Sequence, residues 1–314
     1  MQTINLKVGA KMLSEFEILK KELKELLKSH DNKKSLYKWL KSELAYTSNA
    51  IEGNTLTRKE TELVIEENLT SSSKPFVYYQ EAVNHSKAFC EILDLVNSGN
   101  KICEKEILNL HKIILSGINS EEAGFYRSCM VRISGSRVIL PNPVKVPTLM
   151  DDFCEWLNNQ DQNNAKTAVL AHLKFVSIHP FVDGNGRCAR LLMNYLLLKA
   201  GLVPIIIQPR DRKKYLSAIE QAQLTQKDDK YVEYMQSLLV KSMKKIINML
   251  DTNKIEVKQD ELLTISAFAK LVGVPSSTIR YWVNNDKLKP HSYTDSGYML
   301  FAKVQIGEAQ KLKQ

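Results

Sequence analysis

The sequence predicts a mainly α-helical protein that ends in a small winged helix-turn-helix unit. Three observations lead there. Apolar residues recur at three-to-four spacing through most of the first 250 positions. Only one stretch within them, Val131 to Leu140 (VRISGSRVIL), has the β-branched runs of a strand pair. A polar, non-periodic segment, 251–260 (DTNKIEVKQD), then sets off a final unit of about 54 residues.

Leu13, Phe16, Leu19, Leu23, Leu26 and Leu27 stand among lysines and glutamates and mark a first amphipathic helix. Leu36, Leu40 and Leu44 continue the pattern in a second helix, which runs towards Glu52 and stops near Gly53-Asn54. Thr57 and Glu60 form the T-x-x-E capping box of a third helix, through about Leu69. Thr70 to Pro75 is a loop. Further helices are expected at about 78–97, 104–115, 147–159, 164–178, 186–200 and 211–223, and again before 250. Between two of them, the β-branched residues flanking Ser134-Gly135-Ser136 predict a β-hairpin with a tight glycine turn. The organisation expected is an N-terminal helical region over 1–100, a core over 101–250, a linker over 251–260 and the helix-turn-helix unit over 261–314.

Composition bounds what such a chain does. Of its 314 residues 44% are hydrophobic and 25% charged, which excludes wholesale disorder. Gly 12 and Pro 9 exclude a collagen-like chain. The opening residues MQTINLKVGA hold no apolar signal core. The longest apolar stretch, Leu191 to Ile207, is interrupted by Asn194, Lys199, Gly201 and Pro204, whereas a membrane span needs about 20 apolar residues. No membrane role is expected. The five cysteines are scattered, with no metal-ligand spacing, and read as buried, reduced thiols of a cytoplasmic protein. The net charge of +9 suits a nucleotide or nucleic acid partner and equally a solvated lysine-rich surface.

The chemistry concentrates in His179 to Arg190, HPFVDGNGRCAR. A helix is expected to end at His179-Pro180 and another to begin near Gly186. The main-chain N–H groups of Gly184, Asn185 and Gly186 then form a donor nest at a helix N-terminus, where the dipole adds positive potential. Arg187 and Arg190 are three apart and share a helix face. Together these parts suit a polyphosphate. Asp183, a lone carboxylate beside phosphates, is the kind of group that holds Mg²⁺. The His179 imidazole is placed to take a proton from an attacking hydroxyl. Base, metal carboxylate, phosphate nest and paired arginines are the parts of a phosphoryl or nucleotidyl transfer site.

This segment resembles the signature of Fic proteins, HPFx(D/E)GNGRxxR, at every defined position. Ala171-His172 before it, Leu191-Leu192-Met193-Asn194 after it and Gly124-Phe125-Tyr126-Arg127 are similar to their Fic counterparts, so that roughly Ile102 to Leu239 is covered. His111 and His172 themselves read as core side chains. The resemblance implies a Fic-type helical core with a β-hairpin flap. It implies an enzyme that transfers AMP from ATP to a Tyr, Thr or Ser hydroxyl of a target protein and releases pyrophosphate. His179 would be the base and Asp183 the Mg²⁺ ligand. Gly184, Asn185 and Gly186 would cradle the phosphates, with Arg187 on the γ-phosphate and Arg190 on the β side. Arg132, Ile133, Ser134 and Gly135, in the flap, would lie near the adenosine and register the target segment by main-chain pairing. Tyr215 and Gln223 would contact the nucleotide; Leu216 departs from the family's usual second tyrosine. The intact GNGRxxR half favours nucleotidyl over phosphoryl transfer, and transfer of UMP is a further option.

Ser48 to Gly53 reads SNAIEG. Ser48 and Glu52 are four apart on one helix face. The stretch resembles the Fic inhibitory motif, (S/T)xxxE(G/N). The resemblance implies that Glu52 pairs with Arg187, occupies it and autoinhibits the enzyme; in some relatives the same glutamate supports AMP removal.

In the last unit, Ile265, Phe268, Ala269 and Leu271 form a short helix, Gly273-Val274-Pro275 a turn, and Ser276 or Ser277 the cap of a second helix. The pattern resembles the MerR-type winged helix, with Arg280 and Tyr281 on the recognition helix, Lys287 and Lys289 after it and Ser296-Gly297-Tyr298 in the wing. It implies DNA as a partner, although seven Lys+Arg against four Asp+Glu over 261–314 is a modest charge. The long dimerisation helix of MerR regulators does not follow, so effector sensing is not expected. The competing reading is a nucleotide-sensing DNA-binding regulator with a weak Fic core. A homodimer is a partner the sequence leaves open.

Overall fold

The computed structural model describes residues 15–71, 73–98, 102–162, 164–250, 262–285, 287–294 and 297–312. Leu13 of the first helix, the linker 251–260 and Ser296 of the wing lie outside them. The chain divides after Leu250 into two compact units.

The first unit is helical. After α1 (15–26) come α2 (His30–Ile51), α3 (Arg58–Glu67), α4 (Phe76–Ser98), α5 (Glu104–Leu115), α6 (Val146–Asn158), α7 (Ala165–Ile178), α8 (Asn185–Lys199), α9 (Arg212–Thr225) and α10 (Asp229–Leu250). Their starts follow local side chains. Ser29 accepts the Asn32 N–H to open α2, and Thr57 and Glu60 close the expected capping box on α3. Asn164 accepts the Lys166 N–H at 2.9 Å to open α7.

Helix α8 is the axis of the unit, with every residue from Arg187 to Leu197 buried. Helix α7 packs along it, α4 and α5 cover other sides, and α2 crosses α4 and reaches α8. One apolar core runs through Leu40 of α2, Phe89 of α4, Leu110 of α5, Phe153 of α6, Phe175 of α7, Leu196 of α8 and Met235 of α10. Helices α2 and α4 therefore share a core with α5 to α8 and α10, and the N-terminal region builds no separate main core of its own. Glu43 of α2 is buried and bonded by Arg58 at 2.9 Å and Lys245 at 2.6 Å, which ties α2 to α3 and α10. Burial alone raises the pKa of that carboxyl; the two cations outweigh it and hold it below the ordinary carboxylate range.

The apolar stretch 191–207 has a plain explanation. It is the central helix followed by a buried extended segment, whose Ile205 and Ile206 N–H groups donate to Asn194 Oδ1 and Ser242 Oγ, both at 2.9 Å. No described helix is long and apolar enough to cross a membrane.

Residues 131–140 correct the sequence reading. They form no paired strands. The Ser136 N–H closes a turn on Ile133 O at 3.1 Å, with Gly135 at φ 75°. The Ser136 hydroxyl and the Arg137 N–H donate to Glu220 Oε1 of α9 at 3.0 and 2.9 Å. The flap is thus a turn held from outside, with one main-chain N–H, that of Arg137, directed to α9 and that of Val138 to the Ser136 hydroxyl.

The second unit comprises β1 (Leu262–Thr264), α11 (Ile265–Val272), α12 (Ser276–Asn284), β2 (Ser292–Tyr293), β3 (Met299–Ala302) and α13 (Ile306–Lys311). Its antiparallel sheet has the order β1-β3-β2, with Leu263 opposite Phe301 and Tyr293 opposite Met299. Strand β1 was not foreseen from the sequence. Thr264 caps α11, and Gly273 at φ 78° ends it. Pro275, not a serine, occupies the cap position of α12, without a side-chain bond. Phe268, Ile279, Trp282, Leu288 and Phe301 form a separate core.

Candidate active site

The loop between α7 and α8 is fixed from three directions. Arg127 is 2% exposed and directs its guanidinium to main-chain carbonyls: His179 O at 2.8 Å, Pro141 O at 2.7 Å and Cys129 O at 3.2 Å. It thereby holds His179 in the left-handed conformation, φ 52°, that ends α7. The His111 ring stacks on Phe181 with centroids 3.6 Å apart. His111 Nδ1 accepts the Gly124 N–H at 3.0 Å, so Nε2 carries the proton and donates to Asp183 O at 3.0 Å. The Asn185 side chain closes the loop on itself, accepting from Phe181 N and donating to Phe181 O, both at 2.9 Å. Gly184, at φ 80°, lies under His111; a Cβ there would come within 3.2 Å of the ring.

His179 is half-buried. Its Nδ1 faces Val176 O at 3.4 Å, and a carbonyl only accepts, so Nδ1 carries the proton and Nε2 has the free lone pair. Burial is the main cause that holds its pKa below the ordinary histidine value. At neutral pH the ring is uncharged and able to accept a proton.

At the start of α8 the first N–H groups have no intrahelical partner. Asp183 Oδ1 accepts the Gly184 N–H at 2.6 Å, and Oδ2 pairs with Arg187 Nη2 at 2.9 Å. The other arm of Arg187, Nη1, pairs with Glu81 Oε1 of α4 at 3.0 Å. Arg190 lies about one turn further along α8. Its Nε donates to Ser48 Oγ at 2.9 Å, and its Nη2 to Ser48 O at 3.0 Å and Glu52 Oε1 at 2.7 Å. The expected contact between the SNAIEG helix and a motif arginine is present, but the partner of Glu52 is Arg190 and not Arg187. The Glu52 carboxylate also sits against the glycine at the helix start: a Cβ on Gly186 would overlap it.

Behind Arg190 runs a buried chain. Tyr215, expected at the nucleotide, is 1% exposed and 2.7 Å from His172 Nε2, and His172 Nδ1 is 2.7 Å from the Tyr231 hydroxyl. Arg190 hydrogen-bonds the Tyr215 hydroxyl. A guanidinium only donates, so the Tyr215 O–H donates its hydrogen bond to His172 Nε2, and His172 Nδ1–H donates to the Tyr231 hydroxyl. Burial disfavours the Arg190 charge, yet Glu52 and Tyr215 outweigh it and hold its pKa above the ordinary value.

Burial keeps three further histidines neutral, with pKa values pushed down to about 3 for His85 and His172 and about 4 for His111. Unfolding frees each to titrate near the ordinary value of about 6.5. Between these limits the unfolded chain binds more protons, so stability falls as pH falls. Together the three give a slope of up to about 4 kcal/mol per pH unit below pH 6. Denaturant melts from pH 7.5 to 5 should show it, and His172→Gln should flatten the slope by about a third.

Arg132, Ser134 and Gly135 are exposed and Ile133 is half-buried at the flap turn. Gln223 Nε2 donates to Ser177 Oγ at 3.1 Å, two residues from His179. Arg280, Tyr281, Lys287 and Lys289 are all exposed on the second unit, with the Lys287 ammonium 5.8 Å from the Tyr281 ring centroid. The sequence reading gave no role to Glu81, Arg127 and Glu220. For Glu81 a signal existed: its neighbours Tyr79, Ala82, His85 and Ser86 define the buried side of α4, which is an unusual setting for a carboxylate.

Comparison with known proteins bears on the fold. Residues 101–197 match the model of the Fic/DOC family, and residues 264–301 match that of the MerR family regulatory proteins. The chain therefore carries a Fic domain in its first unit and a MerR-like region in its second. It is 36% identical over 181 residues to the protein adenylyltransferase Fic of Nematostella vectensis, covering 56% of this chain and 42% of that protein. It is 37% identical over 181 residues to the protein of the same name from Aedes aegypti, covering 56% of this chain and 36% of that protein. The chain thus spans about two fifths of the length of these curated relatives. A Fic domain containing signaling protein from Bacteroides thetaiotaomicron superposes with a TM-score of 0.69 at 26% identity, over 77% of this chain and 100% of the other. Fic-1 from C. elegans superposes with a TM-score of 0.68 at 26% identity, over 81% of this chain and 76% of the other.

Proposed function

We propose that the protein is an adenylyltransferase that moves AMP from ATP to a hydroxyl side chain of a target protein and is held in check by Glu52. The observation that carries this reading is the placement of a neutral His179 beside an anion-binding helix start that an internal carboxylate occupies. The target hydroxyl oxygen attacks the α-phosphorus, His179 Nε2 takes the hydroxyl proton, and the bond from the α-phosphorus to the bridging oxygen breaks to release pyrophosphate. The N–H groups opening α8, with Arg187 and Arg190, neutralise the phosphates.

Asp183 is the residue that would hold Mg²⁺. No group of three or more His, Cys, Asp or Glu side chains gathers as a metal site among the described residues. A single carboxylate, 64% exposed, suits a cation that arrives with the triphosphate and keeps phosphate and water as its other ligands. Bound there, the ion would shield charge on the phosphates. The segments flanking the flap expose the apolar side chains of Phe125, Met130, Ile139 and Val144.

Incubation with α-labelled ATP and Mg²⁺ tests the reading. Label on the protein, accompanied by pyrophosphate, supports it. The competing regulator reading, which rests on the exposed Arg280, Tyr281, Lys287 and Lys289, predicts instead ATP binding without label and retention of duplex DNA that changes with ATP.

A further inference from the structure

We infer that Glu81 is a positioning residue for Arg187, and that it leaves Asp183 free to turn to a cation. The inference rests on the reading of this site as one for a magnesium–triphosphate.

The Arg187 side chain is 3% exposed. A cation buried so deeply needs a counter-charge. Two carboxylates face it, and they differ in setting. Asp183 is 64% exposed, and water screens its pairing. Glu81 is only 17% exposed, and its second oxygen accepts from Asn54 Nδ2 at 2.8 Å. Asn54 is itself held: its Nδ2 also donates to Tyr78 O at 3.0 Å, its Oδ1 accepts the Leu56 N–H at 2.9 Å, and its own N–H reaches Asn49 O at 3.1 Å. Glu81 is thus a braced acceptor and Asp183 a loose one.

This arrangement separates two jobs. Glu52 acts on Arg190, so removing it leaves Arg187 as it was. When Asp183 leaves Arg187 for a cation, Glu81 keeps the guanidinium neutralised and aimed, with its Nε, buried and without a partner, still available. Without the Glu81 charge, Asp183 becomes the main counter-ion of a buried arginine and is held back from the metal.

The test uses the 314-residue chain carrying Glu52→Gly and His179→Ala, which has neither brake nor base, and reads equilibrium binding by calorimetry. ATP is titrated with excess Mg²⁺ and, separately, with EDTA. Adding Glu81→Gln should weaken binding about tenfold in Mg²⁺, the equivalent of one charge-assisted bond. In EDTA binding should stay equal or tighten, because a negative charge has been removed near the phosphates. Equal affinities in Mg²⁺, within twofold, overturn the inference. A merely structural role for Glu81 would weaken both titrations alike, which overturns it as well. Should Glu81→Gln melt early, Glu81→Asp keeps the charge but withdraws it, and a loss of threefold or more confined to Mg²⁺ is then required. If the Glu52→Gly/His179→Ala protein itself binds no ATP in Mg²⁺, the proposed function fails instead.

Discussion

Glu52→Gly is expected to raise the initial rate of AMP transfer by roughly tenfold to a hundredfold at saturating ATP, a gain set by one charged hydrogen bond of about 1.5–3 kcal/mol. Two features of the site contribute. Glu52 Oε1 is 2.7 Å from Arg190 Nη2, so the resting arginine is already neutralised. The same oxygen rests on Gly186, where the N-terminus of α8 attracts an anion, so carboxylate and phosphate compete for one place. The gain stays modest because the Glu52 side chain is 39% exposed and its pairing partly screened. Ser48 stays on Arg190 in the variant and preserves its orientation. Time courses of labelled self-modification read the effect, and an initial rate within threefold of the wild type would sink the brake. A higher final level with an unchanged initial rate would show instead that Glu52 supports AMP removal.

The misassigned partner of Glu52 shows where sequence reading stops. Arg187 and Arg190 are three apart on α8, and that spacing puts both on one face without saying which reaches α2. The neighbours of each guanidinium decide it. Both arginines are buried, but Arg190 lies between Ser48 of α2 and Tyr215 of α9, whereas Arg187 lies between Glu81 of α4 and Asp183. Local features were legible because their causes are local: the capping box at Thr57, the glycine turn at Gly135, and the four-residue spacing from Ser48 to Glu52. The flap was misread as a hairpin because its hydrogen-bond acceptor, Glu220, comes from a helix much later in the chain. Tyr215 was expected at the nucleotide and is instead buried behind Arg190. His172 was read as a core side chain, but its pairing with Tyr215 of α9 and Tyr231 of α10 comes from the packing of three helices.

His179→Ala in the Glu52→Gly protein should lower AMP transfer by about 10²–10⁴-fold, the range for loss of a positioned general base. ATP affinity should stay within threefold, because His179 ends α7 while the phosphate nest and both arginines belong to α8. The pH profile adds a sharper condition. Burial disfavours protonation of His179, so its pKa lies below the ordinary value of about 6.5. The active, neutral form therefore persists on acidification, and the acid limb of kcat/KM in the Glu52→Gly protein should have its midpoint below pH 6.5. Three buried histidines destabilise the fold over the same range, so the profile must be read from initial rates with the folded fraction monitored alongside. A variant that keeps more than a tenth of the parent rate would exclude His179 as the base. A loss of rate accompanied by an equal loss of ATP binding would make it a binding residue.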